Sequence, residues 1–346
     1  MLGISPVFRR LTGAITLLML PACAFSPPLQ GQAVRMEPEA KVWVARDGTR
    51  FPYQSWIPEK QPVKAIVIGL HGLSGAACDH QIAALALQKN GYAFFGCELR
   101  GQGNDPVKER RGDIRSVRQW HEDVWDFHRL ATTKYPDLPV IWLAESLGSL
   151  IACGAVSSPP AGTHAPDALV LASTIPAFDE RVAIWQRQLL GFGALWKPER
   201  KIPLSDWTGP DAKDWQMTGA SDHLQQLDVT PWAVKEFTVR FYHSLSLMVG
   251  RMMPQATRIK QPVLIVHAEK DVFASMENVQ AFAKRLPNAR LQRYEKSHHL
   301  LFYDTERDQV VADIVRWIES APWKSDDAKT AQTEEEAKRK EAGQKN

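Results

Sequence analysis

Pro139-Val140-Ile141-Trp142-Leu143-Ala144-Glu145-Ser146-Leu147-Gly148 is the stretch on which the reading of this chain turns. It is a short apolar run of β character, then a serine, then the start of an apolar helical pattern. A chain that leaves a strand, turns sharply and enters a helix with a serine hydroxyl at its tip forms a nucleophile elbow. The residues two before and two after that serine must be small, because strand and helix backbones pass close together there. Ala144 and Gly148 meet that requirement. The bland alternative is a strand-to-helix turn carrying a surface serine, so the weight falls on what stands elsewhere in the chain.

Upstream, Val63-Lys64-Ala65-Ile66-Val67-Ile68-Gly69-Leu70 reads as a buried strand that runs into His71-Gly72-Leu73-Ser74-Gly75. A loop at this place supplies the second donor of an oxyanion hole, so the backbone N–H groups of Leu73 and Leu147 are the expected pair. Gly72 and Gly75 are expected to let the backbone approach a substrate, and His71 to prop the loop through its ring nitrogens. Downstream, the buried run Pro262-Val263-Leu264-Ile265-Val266-His267-Ala268 is followed by Glu269-Lys270-Asp271. The alternating run Ala289-Arg290-Leu291-Gln292-Arg293-Tyr294-Glu295 is followed by Lys296-Ser297-His298-His299. A serine, then an acid, then a histidine thus fall in order at successive strand ends. The chemistry needs all three: histidine takes the serine proton and returns it to the leaving group, and the acid fixes the imidazole tautomer. On residues alone, two acids and two histidines compete.

The rest of the chain supports a mostly parallel, eight-stranded sheet with helices on both faces. Lys41-Val42-Trp43-Val44-Ala45 and Arg50 to Trp56 form two opening strands joined at Asp47-Gly48, a hairpin signal. Helical spacing links Val117, Trp120, Val124, Phe127 and Leu130. Strands at Tyr92 to Cys97 and Asp167 to Ala172 alternate with helices, and that order places ligands beyond the carboxyl ends of the strands. Residues 176–258 break the alternation and read as an inserted lid. The lid holds Trp185, Leu189, Leu190, Phe192, Leu195, Trp196, Trp207, Trp215 and Trp232, with a helical stripe at Phe237, Phe241, Leu245, Met248 and Met252. The stripe packs the lid's own core and its contact with the main domain; part of the apolar set lines an acyl pocket. Each buried methylene of a fatty chain is worth about 0.8 kcal/mol, which favours lipid-like esters.

These motifs resemble those of the α/β-hydrolases of the monoacylglycerol lipase and lysophospholipase group, sometimes labelled serine aminopeptidase-like. The resemblance runs from Lys41 to Trp317. His71-Gly72-Leu73 matches the oxyanion loop, Glu145-Ser146-Leu147-Gly148 the elbow, and Glu98-Leu99-Arg100-Gly101-Gln102-Gly103-Asn104 the segment D-x-R-G-H-G-x-S. The family's H-x-L-x-x-E loop matches His299 to Asp304, and that spacing selects His299 over His298. A G-x-x-D segment maps onto Ala268 to Asp271 and selects Asp271 over Glu269. The resemblance therefore implies Ser146, Asp271 and His299 as catalytic residues. Ala144, Gln102 and Glu98 replace the usual glycine, histidine and aspartate, and the closing serine of the second segment is missing. The implied activity is ester hydrolysis through an acyl-enzyme on monoacylglycerols or lysophospholipids. A short-chain carboxylesterase or thioesterase is an alternative. A serine aminopeptidase is another; it would use lid carboxylates such as Asp179, Glu180, Asp211, Asp214 or Asp222. A non-catalytic envelope lipoprotein is the third.

The chain ends bear on location. Arg9-Arg10, the mostly apolar run Leu11 to Leu20 and Pro21-Ala22-Cys23 form a secretory signal pattern too short to span a bilayer. Leu20-Pro21-Ala22-Cys23 resembles a bacterial lipobox, which implies lipidation of Cys23 and a membrane surface as partner in the cell envelope; the alternative is a soluble periplasmic or secreted enzyme. The expected organisation is a signal peptide at 1–22, a tether at 23–40, the hydrolase core at 41–175 and 259–321 around the lid at 176–258, and a charged tail at 322–346. Of the four cysteines, Cys78, Cys97 and Cys153 are expected to be free thiols. The net charge of +3 gives no footing for nucleic-acid binding, and no cofactor, metal spacing or phosphate loop is expected.

Overall fold

The computed structural model describes residues 33–177, 191–204, 206, 216–220 and 230–324. The signal peptide, Cys23, the tail beyond Lys324 and much of the lid lie outside the described residues, among them Trp185, Leu189, Leu190, Trp207, Trp215 and the lid carboxylates.

A nine-stranded sheet organises the molecule. Its strands are β1 (Arg35–Glu37), β2 (Val42–Val44), β3 (Arg50–Trp56), β4 (Ala65–Leu70), β5 (Tyr92–Cys97), β6 (Val140–Glu145) and β7 (Ala168–Ala172), then β10 (Val263–Ala268) and β11 (Ala289–Tyr294). Between β7 and β10 the lid contributes a separate two-stranded ribbon, β8 (Lys201–Pro203) with β9 (Glu236–Thr238). The order across the large sheet is β1-β2-β3-β5-β4-β6-β7-β10-β11. Strands β1 to β3 pair antiparallel, β3 meets β5 antiparallel, and every pairing from β5 to β11 is parallel. The ninth strand is β1, which falls within residues read as tether. Three residues that alternate charged, apolar, charged carry no strand signal of their own. Pairing with β2 and the Arg50–Glu37 ion pair hold β1 at the edge.

Strand alternation builds two cores. Ile66, Ile68 and Leu70 of β4, with Trp142 and Ala144 of β6, face helices α2 (Val117–Thr132) and α3 (Leu147–Val156). Val67, Ile141, Leu143, Val170 and Val266 face the other way, toward α1 (Gln81–Lys89) and a closing helix whose Val310, Ile314 and Ile318 complete that layer. Each such aliphatic side chain contributes about 1.5–3 kcal/mol on full burial. With both faces covered, the central strands read as unbroken apolar runs.

The lid joins the sheet through α4 (Val239–Gln255), which packs on α3. Phe237, Phe241, Met248 and Met252 are buried there, and the Phe241 ring meets Trp120 of α2 edge-on at 5.7 Å. The stripe is thus packing between lid and main domain. Phe192, Leu195 and Trp196 stand exposed instead. Among the described residues no helix is long and apolar enough to cross a membrane, and Cys78, Cys97 and Cys153 are free thiols. The last two helices are α5 (Met276–Ala283) and α6 (Arg307–Glu319), the latter being the closing helix.

Candidate active site

Four loops meet at the carboxyl ends of β4, β6, β10 and β11. The elbow at β6 is strained: Ser146 has φ 48°, a conformation that costs a non-glycine residue about 1–3 kcal/mol. Three contacts hold it. The Ser146 N–H donates to Ala172 O at 2.9 Å, continuing the β6–β7 ladder past its last pair. Ser149 Oγ donates to Ser146 O at 2.6 Å and lies 2.9 Å from Thr174 Oγ1. Gly148 is required for the close pass, since a Cβ there would lie 2.1 Å from Leu70 O. Ala144 is fully buried, and its methyl is accommodated where the resemblance has glycine.

The structure brings Ser146, His299 and Asp271 into one hydrogen-bonded line. His299 Nε2 lies 3.0 Å from Ser146 Oγ, and His299 Nδ1 lies 2.8 Å from Asp271 Oδ2. A proton on Nδ1 facing the carboxylate leaves Nε2 to accept from the serine. The histidine loop is fixed from behind: Ser173 Oγ donates to His299 O at 2.5 Å, and the Phe273 ring stands edge-on to the imidazole at 4.7 Å. The Asp271 side chain is fully buried and its Oδ1 accepts from the Phe273 and Ala274 amides at 2.8 and 3.3 Å. Burial alone would raise its pKa; the His299 charge and hydrogen bond, His267 and the Phe273 amide reverse that and hold it below the usual aspartate range. For His299, burial pulls the pKa down, and the Asp271 charge and hydrogen bond, with the Glu145 charge, carry it above the ordinary value.

The two rivals sit elsewhere. Glu269 points outward and accepts from Arg293 Nε at 2.6 Å. His298 turns to Asp304, with its backbone N–H at 2.7 Å and Nδ1 at 3.0 Å from Oδ2. Asp304 also accepts from Gly219 N at 3.0 Å, and the Leu300 N–H donates to Met217 O at 2.9 Å, so the lid is stitched to the histidine loop.

Leu73, expected to supply one oxyanion donor, lies in the loop after β4, and Leu147, expected to supply the other, opens α3 directly after the serine. Neither amide donates to an acceptor among the described residues. The Leu147 N–H also stands at the positive end of the helix. The loop around Leu73 is held on three sides. Leu99 N–H donates to His71 Nε2 at 3.1 Å, so His71 carries its proton on Nδ1 and donates to Gly72 O at 2.9 Å. Burial, countered by the Asp79 charge and the Gly72 bond, keeps His71 below its ordinary pKa and so neutral. Gln102 Oε1 accepts from Ser74 N at 2.9 Å, and Ser74 Oγ donates to Val234 O at 2.8 Å, tying the loop to the lid. Glu98 Oε1 accepts from Ala77 N at 3.2 Å and Asn104 Nδ2 at 3.1 Å. The residues that depart from the resembled segment thus brace the oxyanion loop. Gly72 opens toward the serine, with a hypothetical Cβ 3.6 Å from Ser146 Cβ, but Gly75 serves another purpose: a Cβ there would lie 2.4 Å from Asp79 Oδ2. It clears room for the Asp79 carboxylate that caps Ala76 N at 2.8 Å.

A strained serine between a parallel strand and a helix, backed by a histidine and a buried acid, defines an α/β-hydrolase. Residues 61–306 match the family model Hydrolase_4, described as serine aminopeptidase, S33. The chain belongs to this family and is a serine hydrolase. It is 24% identical over 279 residues to a monoacylglycerol lipase from Mycolicibacterium smegmatis, covering 79% of this chain and 94% of that protein. Among solved structures, it is similar to a soluble variant of monoglyceride lipase from Saccharomyces cerevisiae in complex with a substrate analog. That likeness has a TM-score of 0.70 at 18% identity, over 85% of this chain and 98% of the other. The monoacylglycerol lipase of Paleococcus ferrophilus gives a TM-score of 0.66 at 18% identity, over 78% and 98%. At such identities the two structures speak for the fold.

Ser74, Ser149, Ser173, Phe273 and Glu145 also shape the site, and no sequence motif marks them as doing so. Ser74 and Ser173 act across more than a hundred residues, and Ser149 and Phe273 through contacts to Thr174 and His299 about 25 residues on, none of which leaves a local pattern. Glu145 lies inside the elbow itself; a carboxylate closing a buried strand was the signal available.

Proposed function

We propose that this protein is an exported serine ester hydrolase that acts through an acyl-enzyme on single-chain lipid esters, monoacylglycerols or lysophospholipids. The observation that carries the chemistry is the unbroken line from Asp271 through His299 to Ser146. Ser146 Oγ attacks the ester carbonyl as His299 Nε2 takes its proton, and Asp271 balances the imidazolium. The carbonyl oxygen becomes an oxyanion and accepts from the Leu147 and Leu73 amides, each such donor being worth about 3–4 kcal/mol. The alcohol leaves with the proton from His299. Water then attacks the acyl-enzyme by the same route and frees the fatty acid. A raised His299 pKa makes the acid limb of turnover the deprotonation of this residue.

The substrate class rests on the monoacylglycerol lipase relative, aligned over nearly its whole length, and on the apolar side chains that the lid exposes at Phe192, Leu195 and Trp196. Export and lipid anchoring at Cys23 rest on the sequence of residues 1–23.

The test is turnover of the purified mature domain on esters of increasing acyl length, with lysophosphatidylcholine and an aminoacyl anilide included. Specificity should rise with chain length. Ser146→Ala and His299→Ala should each lose nearly all activity, on the order of 10⁴-fold or more, while His298→Ala keeps it. Activity confined to short esters would replace the lipid reading with a general carboxylesterase. Cleavage of the anilide alone would replace it with a peptidase.

A further inference from the structure

The Leu73 amide belongs to a reversal of the chain and not to a regular element. Gly75 N–H donates to Gly72 O at 3.3 Å, so Gly72 to Gly75 form a tight turn with Leu73 and Ser74 at its corners. The turn lies against the nucleophile: a Cβ on Gly72 would stand 3.6 Å from Ser146 Cβ. His71 Nδ1 also donates to Gly72 O, at 2.9 Å. Across a trans peptide the C=O and N–H point in opposite directions, so these two donors aim the Leu73 N–H away from themselves. That direction depends on the shape of the turn, and the shape depends on Ser74.

Ser74 has φ 62°, a left-handed conformation that some turns require of their third residue and that glycine or asparagine supplies at least cost. A serine adopts it under strain, and hydrogen bonds must hold it there. Its N–H donates to Oε1 of the fully buried Gln102 at 2.9 Å. Its Oγ donates to Val234 O and accepts from Val234 N–H, both at 2.8 Å. One hydroxyl thus takes both backbone groups of one lid residue, 160 positions along the chain. The Val234 N–H has no other acceptor among the described residues. Further along the same segment, Thr238 N–H donates to Gly112 O at 2.8 Å, so the lid is docked here at two points. A glycine would form the turn without strain. The turn therefore does not call for a serine; the tie to the lid does.

We propose that Ser74 is a positioning residue that couples the lid to the Leu73 amide, so that the oxyanion hole takes its working shape only while the lid segment around Val234 is docked; this rests on the reading of Ser146 as nucleophile and Leu73 as oxyanion donor. Ser74 acts through the turn and not on the substrate. The docked lid holds the corner, the corner holds the Leu73 peptide, and the peptide offers its N–H to a charge that exists only in the transition state. The lid then contributes to the rate even on an ester too small to reach its apolar side chains.

The experiment compares wild type, Ser74→Gly and Ser74→Ala on p-nitrophenyl acetate, with melting temperature and amide hydrogen exchange across residues 230–238 on the same proteins. Both variants lose the two bonds to Val234, and exchange at its amide should quicken about tenfold or more in each. Glycine fits the left-handed corner and alanine does not, so Ser74→Gly should melt higher than Ser74→Ala. In both, kcat should fall about 10–100-fold with KM held within about twofold, the mark of an interaction made only in the transition state; removing an oxyanion donor outright costs ~10²–10³. Activity thus follows the bonds and not the melting temperature. Wild-type kcat in Ser74→Gly would overturn the proposal and leave the tie a contact of the fold. A raised KM at unchanged kcat would overturn it as well, since the lid would then serve binding alone. Absence of Ser146-dependent turnover in wild type would overturn the functional reading and this proposal with it, whereas a result confined to the variants bears on Ser74 alone.

Discussion

The turn after β10 and the end of β6 each bury one carboxyl beside the catalytic line, Asp271 against His299 and Glu145 next to Ser146 in the chain, and they treat it in opposite ways. Asp271 is received by two backbone amides and the imidazole, and its pKa lies below the usual range although burial pushes it up. Glu145 is buried almost as fully without a donor, and burial with Asp79 lifts it to about 7. Depth therefore does not decide the charge of either group; the donors that a turn can offer do. A turn that curls its own N–H groups onto a side chain makes a permanent anion. A side chain at the end of a strand, whose N–H groups are spent on the ladder, makes one that responds to its surroundings.

The largest break in that comparison is Asp271→Asn. The amide oxygen can still accept from Phe273 and Ala274, so the turn survives and the protein folds. The amide cannot carry the charge that orients and balances the imidazole. Turnover should fall about 10³–10⁴-fold with the melting temperature little changed. A loss of less than about tenfold, measured as kcat/KM on the best ester, would mean that His299 takes its orientation from elsewhere.

How far the amino-acid sequence alone reaches follows the same division between local and distant donors. The parallel strands were legible because burial on both faces writes them as continuous apolar runs, and Gly148 was legible because a close backbone pass excludes any side chain. The strand ends bearing Ser146, Asp271 and His299 could be listed for the same reason. The direction of each side chain at a turn could not, which is why Glu269 and His298 competed on residues alone and why spacing within a resembled motif had to choose. The bracing of the site was out of reach. Ser173 holds His299 across 126 residues and Ser74 holds Val234 across 160, and neither serine stands in a pattern. The α4 stripe was readable as apolar, but whether it met a ligand or α3 depended on where the lid docks. Strand β1 is specified by its partner's edge more than by its own three residues.

A smaller effect sharpens the comparison through stability. The folded protein holds the Glu145 proton to about pH 7 against an ordinary 4.5, so it binds more protons than the unfolded chain across that interval. Stability contributed at this site is therefore lost as pH rises from about 4.5 toward 7 and stays lost above it. Glu145→Gln removes the ionisable group but leaves a buried amide to satisfy. At pH 8 the variant should be more stable than wild type by about 1–2 kcal/mol, and at pH 5 the two should nearly coincide. Denaturant unfolding at both values checks this. A variant less stable than wild type at pH 8 would show that Glu145 has a partner in the folded protein.

The smallest effect belongs to Glu269, two residues from Asp271 in the same turn. Its N–H donates to Tyr294 O at 2.9 Å, extending the β10–β11 ladder by one step, and that extension turns its side chain outward to Arg293. The pair is exposed, at 26% and 51%, where an ion pair is worth ~0–1 kcal/mol and is screened by salt. By Asp271 the ladder has ended, the chain has curled, and the carboxyl faces inward. Glu269→Gln should therefore change kcat/KM by no more than about twofold and leave the pH profile in place. The contrast with Asp271→Asn isolates side-chain direction, since charge type and distance along the chain nearly match. A loss for Glu269→Gln that rivals the loss for Asp271→Asn would mean that the loop rearranges when substrate binds, and it would move the acid of the relay two residues back.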